Sequence, residues 1–458
     1  MNRTLTRMLL AAGLTISMQT ACAASTDWEA GRVYNKNDTV TYQGRTWQAQ
    51  WWNQGDAPGK AWGAWVETGN SAGDDWQGTR AYKAGEKAEY KGMRYQARWW
   101  TQGEAPGSAS GVWLLLGPVE PPLSGMAAVH SGGRIQLDGD SARFSWPGVY
   151  FDARFSGSSI GLKFDDSVNH FDVLVDGKRV QEVAAPGKTT VWIRDLPAGE
   201  HSVRVAKRTE STQTSGAFLG FEAGAGGKLL APPVAARRQI EFIGDSLTVG
   251  MGNTSGKREC TEAEITATTN ANLSFGALTA AKYGADYQIN GYSGLGMIRN
   301  YDGNLYPSNY RTYYDRALLN DAGSTWLNKG DWKPQVVVIG LGANDYNTPV
   351  KAGEAWTTVT RKAEYKKAYH DFLGKLRQQY GDETLLVLSA TALWQADDFI
   401  PSVQEIVSER KAAGDQRVVY FGFGGLDFMG CQWHPSVQDH QSIAAQLQTV
   451  LDGSGLSW

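Results

Sequence analysis

The chain has 458 residues, enough for several domains, with 18 tryptophans and a formal net charge of −3. No basic run interrupts this mildly acidic balance, which argues against nucleic acid and anionic membrane as partners. Neither Cys-x-x-Cys nor His-Glu-x-x-His occurs, so no metal site is expected and no cofactor is implied.

The chain opens on a basic stretch, Met1-Asn2-Arg3-Thr4-Leu5-Thr6-Arg7, followed by apolar residues from Met8 to Met18 and the small residues Ala21-Cys22-Ala23. This is the composition of a secretory signal peptide over residues 1–24, not of a membrane anchor. No later stretch reaches the roughly 20 apolar residues a bilayer span requires. A secreted, soluble mature protein is expected, and loss of Arg3 and Arg7 takes its charge to about −5. Lipidation at Cys22 is disfavoured because Gln19-Thr20-Ala21 lacks the leucine of a lipobox. Only Cys260 and Cys431 then remain, and an oxidising compartment favours their pairing as a disulfide.

Residues 27–117 repeat at a constant offset of 48. Trp28 recurs as Trp76, Tyr34 as Tyr82, Tyr42 as Tyr90, Trp51-Trp52 as Trp99-Trp100, Pro58-Gly59 as Pro106-Gly107, and Trp65 as Trp113. The pattern predicts two turn-rich β modules, 26–69 and 74–117. Such small cores need some of these rings for stability. They have little interior for all of them, however, and exposed rings suit the apolar faces of pyranose sugars. The run Tyr-x-x-Asn-Asp-x-Val-x-Tyr-x-Gly-x-x-Trp, continued to Trp-Trp-Asn-Gln-Gly-Asp-x-Pro-Gly, is similar to carbohydrate-binding modules of the family 5/12 type. That resemblance implies binding of insoluble β-linked polysaccharide, chitin in preference to cellulose. Its platform would be Trp28, Trp51 and Trp52 in one copy and Trp76, Trp99 and Trp100 in the other.

Residues 118–125 are Pro-rich and read as a stiff linker. From 126 to 230 short runs alternate apolar and polar, with Asp176-Gly177 set for a tight hairpin, and predict a β-sandwich or jelly roll. His130, His170 and His201 are read as structural or solvated. Gly139-Asp140-Ser141 precedes the strand-like alternation Ala142-Arg143-Phe144-Ser145-Trp146 and is treated as a chance tripeptide.

Beyond Arg237 the pattern changes. Apolar strands near 240, 336 and 384 alternate with helical patterns such as Tyr365, Tyr369, Phe372 and Leu376, predicting an α/β domain over 237–458 with a parallel sheet. Ligands of such sheets bind beyond the strands' carboxyl ends. Gly244-Asp245-Ser246-Leu247 and Gly342-Ala343-Asn344-Asp345 fall there, and Trp433-His434-Pro435 lies near the C-terminus. A serine hydroxyl becomes nucleophilic when a neutral imidazole takes its proton, which pairs Ser246 with His434. Charge building on an acyl carbonyl oxygen needs preorganised donors, each supplying roughly 3 kcal/mol. The Ser246 N–H, a glycine N–H from 291–296 and the Asn344 amide fit that need, with Gly294 preferred to Gly296. Asp245 and Asp345 are assigned to fixing loops.

This set resembles the SGNH, or GDSL-type, hydrolases, whose markers fall here on Ser246, Gly294, Asn344 and His434. A jelly roll directly before such a domain, with Gly430-Cys431-Gln432-Trp433-His434-Pro435-Ser436 at the histidine, looks like the family 2 carbohydrate esterases. Those enzymes commonly carry aspartate where this chain has Gln432, which implies a Ser-His dyad with His434 oriented by a backbone carbonyl. Trp433 would line the sugar site. The expectation is a secreted carbohydrate O-acetyl esterase acting on acetylated polysaccharide. Its rivals are an esterase or lipase for small or lipid esters, and a polysaccharide-binding protein with an inert domain, which the intact Ser, Asn and His disfavour.

Overall fold

A computed structural model describes residues 26–43, 45–60, 63–67, 75–118, 123–328, 330–456 and 458. The expected signal peptide, with Cys22, and positions 119–122 of the linker lie outside the described residues. The chain divides into two units, one up to Pro121 and one from Pro122.

In the first unit each copy of the repeat folds around its own small core. Tyr34 and Trp65 meet edge to face at 4.8 Å in the first, and Tyr82 and Trp113 repeat that contact at 5.1 Å in the second. Burial obliges an indole N–H to find an acceptor. Trp65 Nε1 donates to Asp56 O at 2.6 Å and Trp113 Nε1 to Glu104 O at 2.8 Å. These repeated aromatics therefore hold the modules together. Five-residue and four-residue strands such as Arg45–Ala49 and Thr39–Tyr42 pair antiparallel around them.

The second unit begins with a β-sandwich of two antiparallel sheets. One contains Tyr150–Ser156, Glu200–Lys207 and His170–Val175; the other contains Ser141–Phe144, Gly216–Ala223 and Ile160–Asp166. Asp176 and Gly177 take φ of +50° and +74°, the mirror-image turn that a two-residue hairpin demands. Gly139 also lies at a hairpin turn, between Ile135–Asp138 and Ser141–Phe144, so Ser141 enters a strand and no active site. His130 pairs with Asp286 at 3.0 Å and His201 with Asp176 at 2.7 Å, both structural.

Then follow five parallel strands: β1 (Gln239–Gly244), β2 (Asp286–Gly291), β3 (Val336–Gly340), β4 (Leu385–Thr391) and β5 (Val418–Phe423). Their order is β2-β1-β3-β4-β5. Ile240, Phe242, Val336, Val338, Leu385 and Val387 share one core with α1 (Phe275–Tyr283) and α4 (Val437–Asp452). The alternate residues Ile243, Val337, Ile339, Leu386 and Leu388 face another with α2 (Thr358–Tyr380) and α3 (Phe399–Ala412). The period of two thus explains why strands covered on both faces read as unbroken apolar runs.

The sandwich and the α/β layer are fused, because that second core continues into Phe144, Phe151, Phe164 and Phe218 of the sandwich. Arg134 and Glu241 of β1, both fully buried, pair at 3.0 Å, and Asn290 and Tyr314 also donate to Glu241. Removing one member of such a pair costs about 3–5 kcal/mol by stranding its partner.

Candidate active site

In a β2-β1-β3-β4-β5 sheet the chain leaves β1 toward one edge and β3 begins the walk to the other, so a crevice opens beyond the carboxyl ends of β1 and β3. Ser246 stands two residues past β1 and Asn344 four past β3. Asp245 makes the sharp exit from β1. Its carboxylate caps the turn Ser246–Val249 by accepting Leu247 N–H at 3.0 Å, and Gly250 at φ +75° ends that turn. Burial pushes the Asp245 carboxyl up to about 7.

His434 arrives from the far end of the chain. Its Nε2 lies 2.7 Å from Ser246 Oγ, and its Nδ1 lies 3.0 Å from both Cys431 O and Gln432 O. Two carbonyl acceptors require Nδ1 to carry the hydrogen, which leaves the Nε2 lone pair facing the serine hydroxyl. Burial lowers the His434 pKa from its ordinary value, so the imidazole is neutral near pH 7. Among the described residues no carboxylate hydrogen-bonds His434. Asp439 accepts from the Asp427, Phe428 and Ser436 N–H groups, and the Gln432 amide turns away to donate to Cys260 O at 3.1 Å.

The backbone behind the histidine is unusual. Gln432 and Trp433 take φ of +53° and +54°, where side chains with a Cβ are strained by roughly 1–2 kcal/mol apiece. This turn aims two successive carbonyls at one imidazole. Cys431 holds it through the disulfide to Cys260, with Cα atoms 5.5 Å apart, as the cysteine count predicts. Arg258 adds bonds to Phe428 O at 3.0 Å and Asp427 O at 2.7 Å, and accepts Gln432 N–H on its own carbonyl.

Asn344 Nδ2 donates to Leu295 O at 2.9 Å and to Asp245 Oδ2 at 3.1 Å, which fixes the amide between the two loops. Gly294 and Gly296 have separate tasks. Gly294 has φ +79° and open space where a Cβ would point, and it borders the cleft. A Cβ on Gly296 would sit 2.4 Å from Asp345 Oδ2, so Gly296 packs behind the site. Asp345 accepts the Met297, Ile298 and Arg299 N–H groups at 2.8–2.9 Å and fixes that loop, as expected.

Ser246, Gly294, Asn344 and His434 border one cleft of about 1050 Å³. Trp433, 55% exposed, stands on its rim. So does Trp394, 80% exposed, which the sequence reading missed. Its signal was position: Ala392-Leu393-Trp394 immediately follows β4 on the ligand side of the sheet. In the modules Trp51, Trp52, Trp99 and Trp100 are 45–60% exposed. Trp28 and Trp76 instead pack edge-on against Tyr42 and Tyr90 at 5.2 Å and are half-buried.

A serine after the first strand of such a sheet, with a histidine from the chain's end, defines the SGNH class of hydrolases. Residues 240–447 match the GDSL-like lipase/acylhydrolase family, 131–233 match the carbohydrate esterase 2 N-terminal domain, and 27–66 and 75–114 match carbohydrate-binding module family 5/12. An acetylxylan esterase/glucomannan deacetylase of Cellvibrio japonicus is 40% identical over 336 residues, covering 72% of this chain and 92% of that protein. A solved carbohydrate esterase, whose active site is described as displaying divergent catalytic and non-catalytic binding functions, is also 40% identical. It aligns with a TM-score of 0.67 over 73% of this chain and 99% of that one. A family two carbohydrate esterase from Clostridium thermocellum in complex with cellohexaose is 29% identical, with a TM-score of 0.62 over 71% of this chain and 98% of that one. The chain belongs to the family 2 carbohydrate esterases, and it is a carboxylic ester hydrolase that carries two carbohydrate-binding modules.

Proposed function

We propose that this enzyme is exported by its leader and removes O-acetyl groups from polysaccharides of the xylan and glucomannan kind, using Ser246 and His434 as a dyad. The observation that carries the mechanism is the two-sided bonding of His434, with the serine hydroxyl on Nε2 and two carbonyls on Nδ1. Ser246 Oγ passes its proton to Nε2 and bonds to the acetyl carbonyl carbon. The oxyanion is held by the N–H groups of Ser246 and Gly294 and by the Asn344 Nδ2–H that turns to it from Asp245 Oδ2. Collapse expels the sugar hydroxyl, which takes the proton from Nε2, and the acetyl group stays on Ser246. Water, deprotonated by His434, then releases acetate and restores the serine. The carbonyl dipoles of Cys431 and Gln432 favour the imidazolium in the place of a carboxylate.

Trp433 and Trp394 give the rim flat apolar faces suited to a glycan. Trp51, Trp52, Trp99 and Trp100 form the exposed platform that holds the enzyme to an insoluble β-glycan, chitin by the module type, while Trp28 and Trp76 brace its edges. The substrate class rests on the 40% identical relative named for acetylxylan and glucomannan. The test is acetate release from acetylated xylan, glucomannan and chitin-derived substrates by the wild type and Ser246→Ala. Release from the first two, abolished in the variant, is expected. Turnover of 4-nitrophenyl acetate without release from any polysaccharide would make this an enzyme for small esters.

A further inference from the structure

The β-sandwich contributes a residue to the catalytic loops. Between its strands Glu200–Lys207 and Gly216–Ala223 the chain runs through a connection that is nailed down on every side. Lys207 Nζ, Ser211 N–H and Ser211 Oγ all donate to Ser145 O. Thr209 Oγ1 donates to Asn169 Oδ1 at 3.0 Å, and Ala271 N–H to Arg208 O at 2.9 Å. Lys207, Arg208, Thr209 and Ser211 are all buried. Glu210 projects from this rigid platform toward the loop that follows β2. One of its carboxylate oxygens accepts Ser293 Oγ–H at 2.5 Å and Ser293 N–H at 3.4 Å.

Ser293 directly precedes Gly294. On one side Tyr292 N–H is tied to Gly244 O at 3.0 Å, and on the other Gly294 O accepts Tyr301 N–H at 2.9 Å. Ser293 itself has no other hydrogen bond among the described residues than those to Glu210. The peptide that carries the Gly294 N–H is therefore set by this contact, and its backbone at φ +79° has no side chain of its own to lock it.

We propose that Glu210 is a positioning residue of the oxyanion hole: by holding Ser293 it aims the Gly294 N–H at the carbonyl oxygen of the substrate, and it makes the β-sandwich a working part of the catalytic unit. The inference rests on Gly294 as an oxyanion donor. It explains why the sandwich and the α/β layer share one core, since a few tenths of an ångström of slip between them would reach Ser293 directly.

The experiment compares Glu210→Ala, Glu210→Gln and Ser293→Ala in the full chain, after thermal melts confirm folding. Glu210→Ala should lower kcat by about 10- to 100-fold with KM changed less than threefold, less than the 10²–10³ of losing a whole donor. Its phosphonylation by a 4-nitrophenyl phosphonate, whose phosphoryl oxygen occupies the same hole, should slow by a similar factor. Glu210→Gln keeps an acceptor oxygen and should recover most of the rate. Ser293→Ala should reproduce Glu210→Ala, and the double variant should lose no more than either. If Glu210→Ala does not fold, Ser293→Ala carries the same test. A folded Glu210→Ala or Ser293→Ala with kcat within twofold of wild type overturns the proposal, as does Glu210→Gln falling as far as Glu210→Ala. Asn344→Ala separates the two levels: its loss of kcat beside an unaffected Glu210→Ala leaves the oxyanion hole standing and removes Glu210 from it.

Discussion

Cutting the disulfide at Cys260 tests whether the strained turn at Gln432-Trp433 orients His434. The pair of left-handed residues holds roughly 2–4 kcal/mol of backbone strain, and relaxing it would swing at least one carbonyl away from Nδ1. If the whole strain were released, the population with His434 aligned would fall by about 30- to 1000-fold, at 1.4 kcal/mol per factor of ten. The Arg258 bonds to Asp427 O, Phe428 O and Gln432 N–H persist without the disulfide and keep part of the turn in place. Cys260→Ser should therefore lower kcat on 4-nitrophenyl acetate by about 10- to 100-fold while KM changes less than threefold. The sulfurs close a loop of 171 residues, so the chain-entropy estimate also predicts a stability loss of up to about 5 kcal/mol. Kinetics must accordingly be measured at a temperature where circular dichroism shows the variant folded. Dithiothreitol should bring the wild type toward the variant and leave Cys260→Ser unchanged. A folded Cys260→Ser enzyme with kcat within twofold of wild type would refute the idea that the disulfide serves the histidine.

Ser246→Ala, His434→Ala and the double variant should be about equally inactive in initial-rate assays, because neither half of the dyad works alone; additive losses would break the pairing. The His434 pKa is lowered by burial, and the base must be neutral. The acid limb of kcat/KM should therefore have its midpoint below 6.5, with activity lost only as pH falls through the folded value; a midpoint above 7 would reveal a carboxylate partner. Trp52→Ala with Trp100→Ala should abolish pull-down by insoluble chitin while kcat on soluble esters is unchanged, and undiminished pull-down would show that the platform is misassigned.

The fold was legible wherever one periodicity dominated. Strands β1, β3 and β4 announced themselves as apolar runs because both faces are covered, whereas β2 (Asp286–Gly291) is entirely buried yet carries Asp286, Gln288 and Asn290. Asp286 and Gln288 meet His130 and Arg134 across the junction with the sandwich, and Asn290 meets Glu241 on the neighbouring strand, partnerships that no local pattern encodes. The same blindness hid Glu210, which looks like any loop carboxylate until the fold brings it to Ser293. Ser246 and Asn344 were legible as candidates because their short motifs directly follow apolar strands, and His434 because Trp433-His434-Pro435 stands out near the C-terminus. Trp394 was missed because no motif surrounds it.

Asp439 shows how a carboxylate five residues from His434 in sequence can serve the site without joining it. As the third residue of α4 it closes a capping box: Ser436 Oγ accepts Asp439 N–H, and the Asp439 carboxylate accepts Ser436 N–H. The same carboxylate also accepts Asp427 and Phe428 N–H, so it ties the start of α4 to the loop that leads into Cys431. In a true triad, exchanging the aspartate for asparagine costs about 10⁴ in rate because the histidine loses its partner. Here Asp439→Asn would point an amide NH₂ at backbone donors. The amide oxygen can keep the Phe428 and Ser436 N–H groups that one carboxylate oxygen accepts, so the Asp427 N–H is the donor left unpaired, at about 1–3 kcal/mol of stability. The loss should thus appear in the melting temperature, while kcat of the folded enzyme stays within tenfold, because Nδ1 of His434 still faces Cys431 O and Gln432 O. A kcat lower by 10³ or more with melting unchanged would mean that Asp439 acts on the imidazole, and that two backbone carbonyls are not enough.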